Sequence, residues 1–150
     1  VTASPMDTLI GHKLADSFSG LYASPSYLEA KGVTAESALE RRDLNWVVQN
    51  EEVSRTSWHN SIFPDGKASC RTNNKVTAIS AALQGMGVIE MPTMIGDSEP
   101  RLTRLAGYEE KSAKSIWVLY HRDLRHTARV RAFVDLLRSA PLGLRVASIS

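Results

Sequence analysis

Residues 67–92, KASCRTNNKVTAISAALQGMGVIEMP, hold two short β-prone runs on either side of an alanine-rich helical segment. That order admits few architectures. Ala68 to Thr72 reads as a strand that runs straight into Asn73 and Asn74. Asparagine is a strong helix N-cap, because its side-chain oxygen accepts from the open N–H groups of the first turn. Val76, Ile79 and Leu83 then recur at i, i+3 and i+7 and predict one apolar stripe. Ala78, Ala81 and Ala82 are small positions that would let this helix approach a sheet closely. Gly85 supplies the stop, since glycine enters the left-handed region without steric cost. Gly87 to Met91 is the second strand, closed by Pro92. Gly85-Met86-Gly87 lacks the third glycine of a nucleotide loop and follows a helix, so it reads as a stop and a tight turn.

A strand–helix–strand unit sets the helix start at the mouth of a cleft, where its N–H groups attract a carboxylate or phosphate. Arg71, Thr72, Asn73 and Asn74 are therefore the leading site candidates. Backbone amides, the Thr72 hydroxyl and an asparagine amide would hold a small carboxylated ligand, while the same asparagines can equally serve as caps alone. Ser24, ahead of Pro25, carries the same two readings: a cap, or a cap that also lines the cleft. Thr93 and Met94, just beyond the second strand, are placed to close the other side of the pocket.

Elsewhere the pattern is plainer. Leu21 to Ala23 is strand-like, and a short helix follows with Tyr27 and Leu28 inward and Gly32 at its end. Thr34 caps a second turn over residues 35–39, and Leu44 to Val48 has strand composition. Residues 51–67 are the least regular, 93–100 read as loop with one helical turn, 101–105 as an edge strand and 106–114 as a polar loop. Ser115 to Tyr120 is a clear strand. Thr127 caps a helix over residues 128–139 whose Val130, Phe133, Val134 and Leu137 form an apolar stripe. Residues 1–7 read as a strand end and turn, and 144–150 as a loose tail. Trp46, Trp58 and Trp117 are read as core or subdomain anchors.

Composition removes several function classes. With 150 residues, 43% hydrophobic and 23% charged, the chain suits one ordinary globular domain, and its net charge of +2 does not by itself point to nucleic acid. No apolar run approaches the roughly 18 residues of a membrane span, and Asp7, His12 and Lys13 break up the early apolar segment that a signal peptide would need. Cys70 has no partner for a disulfide and reads as a small buried residue. His121 and His126, with Asp123 between them, are too sparse for a metal set. No nucleophile elbow or phosphate loop occurs. The arginines from Arg122 to Arg145 read as a solvated helix face rather than a nucleic-acid surface, because no aromatic residues interleave with them.

Three stretches together resemble one family. Asp7-Thr8-Leu9-Ile10-Gly11-His12-Lys13-Leu14 with Tyr22-Ala23-Ser24-Pro25-Ser26-Tyr27-Leu28, the segment from Lys67 to Pro92, and Ile116 to Arg125 with Ala128 to Phe133 are similar to the effector-binding domain of LysR-type transcriptional regulators. The resemblance covers about positions 7 to 138. It implies an α/β, periplasmic-binding-protein-like (type 2) fold of two subdomains, here truncated at the N-terminal side. Residues 1–20 would end the first subdomain and cross over, 21–114 would form the second, 115–140 would return, and 141–150 would be a tail. It also implies a bacterial, cytoplasmic regulator that senses a small organic effector, without a cofactor. DNA would be contacted only through an N-terminal helix-turn-helix outside this chain, in a homo-oligomer of the full-length protein. The alternatives are an enzyme or a solute-binding protein on the same two-lobed fold. The sequence offers no convincing catalytic residue for the first and no signal segment for the second.

Overall fold

The structure, a computed structural model, describes residues 9–49, 58–108 and 111–139. Readings made for residues 1–7, 51–57 and 141–150 lie outside the described residues. By internal contacts the chain divides into Ser19–Glu110 and a second unit of Val1–Phe18 with Lys111–Ser150.

In the Ser19–Glu110 unit the central strand is β2 (Trp46–Gln49). Its parallel neighbour on one side is β3 (Ala68–Thr72), with Gln49 level with Thr72. On its other side Val88 bonds alongside Trp46, also parallel, and leads into β4 (Ile89–Pro92). Next comes the end of β1 (Leu9–Ala23), antiparallel to β4, with Gly20 opposite Met91 and Tyr22 opposite Ile89. The short β5 (Thr103–Arg104) pairs with β1 at the edge, two residues long where five were predicted. The two strands flanking α3 (Lys75–Leu83) are therefore not neighbours: β2 lies between them and the helix crosses over it.

Side chains of this sheet alternate between two cores, as a strand period of two requires. Leu21, Ala23, Trp46, Val48 and Val88 pack with Phe63 and with Tyr27 and Leu28 of α1 (Pro25–Lys31). Tyr22, Val47, Ile89 and Met91 pack with Ala78, Ala81 and Ala82 of α3. The predicted stripe of α3 is thus corrected. Val76 is 73% exposed and Ile79 and Leu83 are only partly buried, while the three alanines face the sheet. A helix laid directly over a strand fills its narrowest gap with methyl groups and leaves larger side chains at the margin.

Local signals fix the element ends. Ser24 caps α1 by accepting from the Tyr27 N–H, Pro25 takes the first helical position, and Gly32 ends the helix at φ 64°. Thr34 and Ser37 bond each other's backbone N–H groups, at 3.3 and 3.0 Å, and this reciprocal turn moves the expected helical segment to a 3-10 turn at Ala38–Glu40. The described part of the irregular stretch holds a short helix, α2 (Trp58–Ile62), running into buried Phe63. The expected single turn after β4 is α4 (Thr93–Gly96). Cys70 is half-buried rather than buried.

In the other unit β1 begins at Leu9 and pairs with β6 (Lys111–His121). Both strands are longer than predicted. Polar residues that interrupt the pattern are satisfied across the pair, where Asp16 accepts from Ser115 Oγ at 2.9 Å and His12 meets the Tyr120 hydroxyl at 3.2 Å, and along β1 itself, where Asp16 meets Lys13 at 2.7 Å. Pairing overrides weak local propensity. Helix α5 (Ala128–Ser139) has its predicted bounds, but of its stripe only Val134 is buried, and Phe133 is 57% exposed.

Candidate functional site

Because β2, β3 and the run through Val88 into β4 are parallel, their carboxyl ends open on one edge of the sheet. Crevices at such edges are the usual ligand positions of open α/β sheets. Thr72 ends β3 there, Asn73 and Asn74 follow, and Thr93 begins just past the end of β4. Two strand spacings separate β3 from β4, about 10 Å.

The turn into α3 is built by side chains. Thr72 Oγ1 accepts from the Asn74 N–H at 3.1 Å, which leaves the threonine hydroxyl proton to donate elsewhere. Asn74 is the cap: its Oδ1 accepts from the Thr77 N–H at 3.1 Å, and its carbonyl accepts from Ala78. The N–H groups of Lys75 and Val76 have no partner within the helix itself. Asn73, Asn74, Lys75 and Val76 are all exposed, so this helix start faces solvent.

Arg71 lies apart from Thr72 in one respect. Strand alternation sets it level with Val48, on the α2 side of the sheet, whereas Thr72 belongs to the α3 side. There its charge reaches His59, a 5% exposed imidazole on α2. Burial first, and Arg71 second, push the His59 pKa below its ordinary value. The imidazole stacks on Trp46, with centroids 4.8 Å apart, and meets Trp58 edge-on.

Ser24 is not brought to this edge. It follows Ala23 at the opposite end of β1, four residues or about 13 Å beyond Gly20. Its neighbours include Ser26, at 3.1 Å, and Gly85 behind the C-terminal end of α3, a β-carbon on which would lie 3.6 Å from its Oγ. It is 3% exposed and caps α1.

Sequence reasoning missed two members of the neighbourhood. His59 lay in an irregular stretch with no motif around it. Arg104 read only as part of an edge strand, yet its Nε and the Thr93 methyl would each lie 3.3 Å from a β-carbon on Gly20. Arg104 also pairs with Asp97 at 3.5 Å, and Asp97 accepts from the buried Tyr22 hydroxyl at 2.6 Å. Met94 is exposed on α4. Among the described residues no three His, Cys, Asp or Glu side chains group to hold a metal, and no helix is long and apolar enough to cross a membrane.

Comparison with known proteins agrees with the fold. The chain matches a variant regulatory domain of AphB from Vibrio vulnificus at 21% identity and TM-score 0.57, over 91% of this chain and 74% of that one. It matches CrgA of Neisseria meningitidis, a LysR-type transcriptional regulator, at 21% identity and TM-score 0.63, over 91% of this chain and 49% of that one. ArgP from Mycobacterium tuberculosis matches at 15% identity and TM-score 0.64, over 98% of this chain and 51% of that one. The chain thus spans about half the length of these last two relatives. No curated protein sequence matches it. The LysR substrate binding domain family matches residues 2–141. With its two-unit α/β architecture of periplasmic-binding-protein-like type 2, the chain belongs to the LysR substrate-binding-domain family, the effector-sensing part of LysR-type transcriptional regulators.

Proposed function

We propose that this chain senses a small organic anion for a cytoplasmic transcriptional regulator. Its ligand binds at the carboxyl edge of the Ser19–Glu110 unit. The observation that supports this reading is the open first turn of α3. Asn74 satisfies Thr77, while the Lys75 and Val76 N–H groups and the Thr72 hydroxyl proton are left to a ligand. A carboxylate fits there, because the helix start carries about half a unit of positive charge. Asn73 adds a donor at the same edge, Arg71 adds a cation on the other face of β3, and Thr93 stands about 10 Å away, a span suited to a small organic acid. Ser24 is a helix cap and has no part in binding. The Ser19–Glu110 unit corresponds in this reading to the second subdomain, and the other unit to the first. Contact with DNA falls to a helix-turn-helix elsewhere in the longer, homo-oligomeric regulator, and the ligand acts by favouring one of its conformations.

A thermal-shift screen of aliphatic and aromatic acids tests this. A binding acid raises the midpoint by mass action on the folded state. Thr72→Val removes a hydrogen bond to a charged group, about 1.5 kcal/mol, and so weakens that acid about tenfold, while the loss of its exposed bond from the Asn74 N–H costs at most about 1 kcal/mol of stability. Asn74→Ala instead costs about 1 kcal/mol of stability with or without ligand. An acid that binds wild type and Thr72→Val equally would remove Thr72 from the site.

A further inference from the structure

We propose that the open apolar groove between β6 and α5 is an intramolecular seat, filled in the longer regulator by a segment of its own regulatory domain outside these 150 residues. This rests on the reading of the chain as part of such a regulator and not on the anion site, so either can fail without the other.

The groove holds about 350 Å³. Val118 and Tyr120 of β6 stand on one side, and Val130, Phe133 and Val134 of α5 on the other. The helix residues recur at i, i+3 and i+4, the spacing of a continuous stripe. Of that stripe only Val134 is closed off from solvent. Phe133 is 57% exposed, and Leu119, which also borders the groove, is 37% exposed. Apolar side chains gathered in this way, rather than scattered singly, mark a surface that another element covers.

The rest of the unit points the same way. Among its described residues only Ala15 and Val134 belong to the buried core, and every other described core residue lies in Ser19–Glu110. Its described strands are the paired β1 and β6, with α5 as the one α-helix among the described residues. A layer that holds itself together needs more strands on an apolar face, or a helix packed closely against them. Here the helix is present and the close packing is not. Ser19–Glu110, by contrast, closes two cores from its own residues.

The occupant follows from the fold of the relatives and from charge. The AphB regulatory domain is matched over 91% of this chain but over 74% of its own length, so that fold holds residues with no counterpart here. A second copy of this chain is a poor alternative. At about 100° per residue, Arg129 flanks the stripe on one side and Arg131 and Arg138 on the other. Two α5 helices packed stripe to stripe would set arginine against arginine in either direction, and such like-charge contacts oppose association. The same arginines favour a segment with an apolar face and carboxylates at its margins.

The test is hydroxyl-radical footprinting of Phe133, in the 150-residue chain and in the complete regulatory domain encoded by the same gene. Labelling should fall about tenfold in the complete domain, the ratio of the present 57% exposure of Phe133 to the 5% of buried Val134. In the complete domain Phe133→Asp should lower the urea midpoint by about 1 M, because it buries a charge, whereas Ala132→Asp, on the far side of α5, should leave the midpoint in place. Equal labelling of Phe133 in the two proteins overturns the proposal. Protection that instead grows with the concentration of the 150-residue chain assigns the groove to a second copy and overturns it as well.

Discussion

Gly96→Ala is the sharpest test of how α4 is held beside the candidate site. Gly96 is buried, and a β-carbon there would fall inside the Tyr22 ring, in contact with Cζ, Cε1 and Cε2. The ring cannot step aside. Tyr22 is 1% exposed, its hydroxyl is tied to Asp97 at 2.6 Å, and a β-carbon on Gly20 would lie only 3.1 Å from its Cε2. Overpacking of this kind costs about 2 kcal/mol. Displacing the hydroxyl from a carboxylate adds about 1.5 kcal/mol. Alanine returns about 1 kcal/mol through helix propensity, because Gly96 is not among the glycines with positive φ. The net expectation is a loss of about 2 to 3 kcal/mol, read as a lower urea midpoint with an unchanged slope. Tyr22→Phe breaks the Asp97 bond without the clash, so the double variant should lose less than the two single losses added together. A Gly96→Ala midpoint within about 0.5 kcal/mol of wild type would refute the packing of α4 on Tyr22.

Two further expectations are simpler. Ser24→Ala removes the cap of α1 and should cost about 1 kcal/mol in chemical denaturation while leaving the affinity for any binding acid unchanged; a loss of affinity would return Ser24 to the site. Glu99 is held at a pKa of about 2, first by the Arg101 guanidinium and then by the Arg101 N–H. A depressed carboxylate favours the folded state above its unfolded pKa of about 4.3, and that contribution fades as the pH falls toward 2. NMR should show its midpoint rising toward the ordinary value in Arg101→Gln.

Much of the local structure was legible because the signals are stereochemical. Asn74 and Ser24 act by a side-chain bond to the next turn, Pro25 and Gly32 through their own backbone, and each marked a boundary that the fold keeps. The inward face of α3 was only partly legible: its three alanines marked a close approach to a sheet, but the exposure of the larger residues did not show. Periodicity favoured Val76, Ile79 and Leu83 because they are the larger apolar residues, but the passage of the helix over β2 selects the alanines, and the position of β2 is a long-range fact. The same limit applies to the site. Thr72 and Asn74 announce themselves by their place before a helix, whereas Ser24 carries the same cap chemistry at the wrong end of the sheet. Only strand direction separates the two. His59 joins Arg71 through tertiary packing and leaves no mark in the sequence around it. The polar residues of β1, Lys13 and Asp16, hid a strand because they pair with each other along it and Asp16 also accepts from Ser115 of β6, a partner about a hundred residues away.

The alanine face of α3 divides the work of one short helix between two sets of residues. Ala78, Ala81 and Ala82 set its height above the sheet, and any larger residue there would lift the helix and carry the turn at Thr72 away with it. Asn73, Lys75 and Val76 contribute almost nothing to that packing, since all three are exposed. Descendants of such a domain can therefore exchange the residues that greet a ligand while the anchoring methyl groups stay fixed. A single frame can be retuned from one small acid to another by steps that never pass through an unstable intermediate.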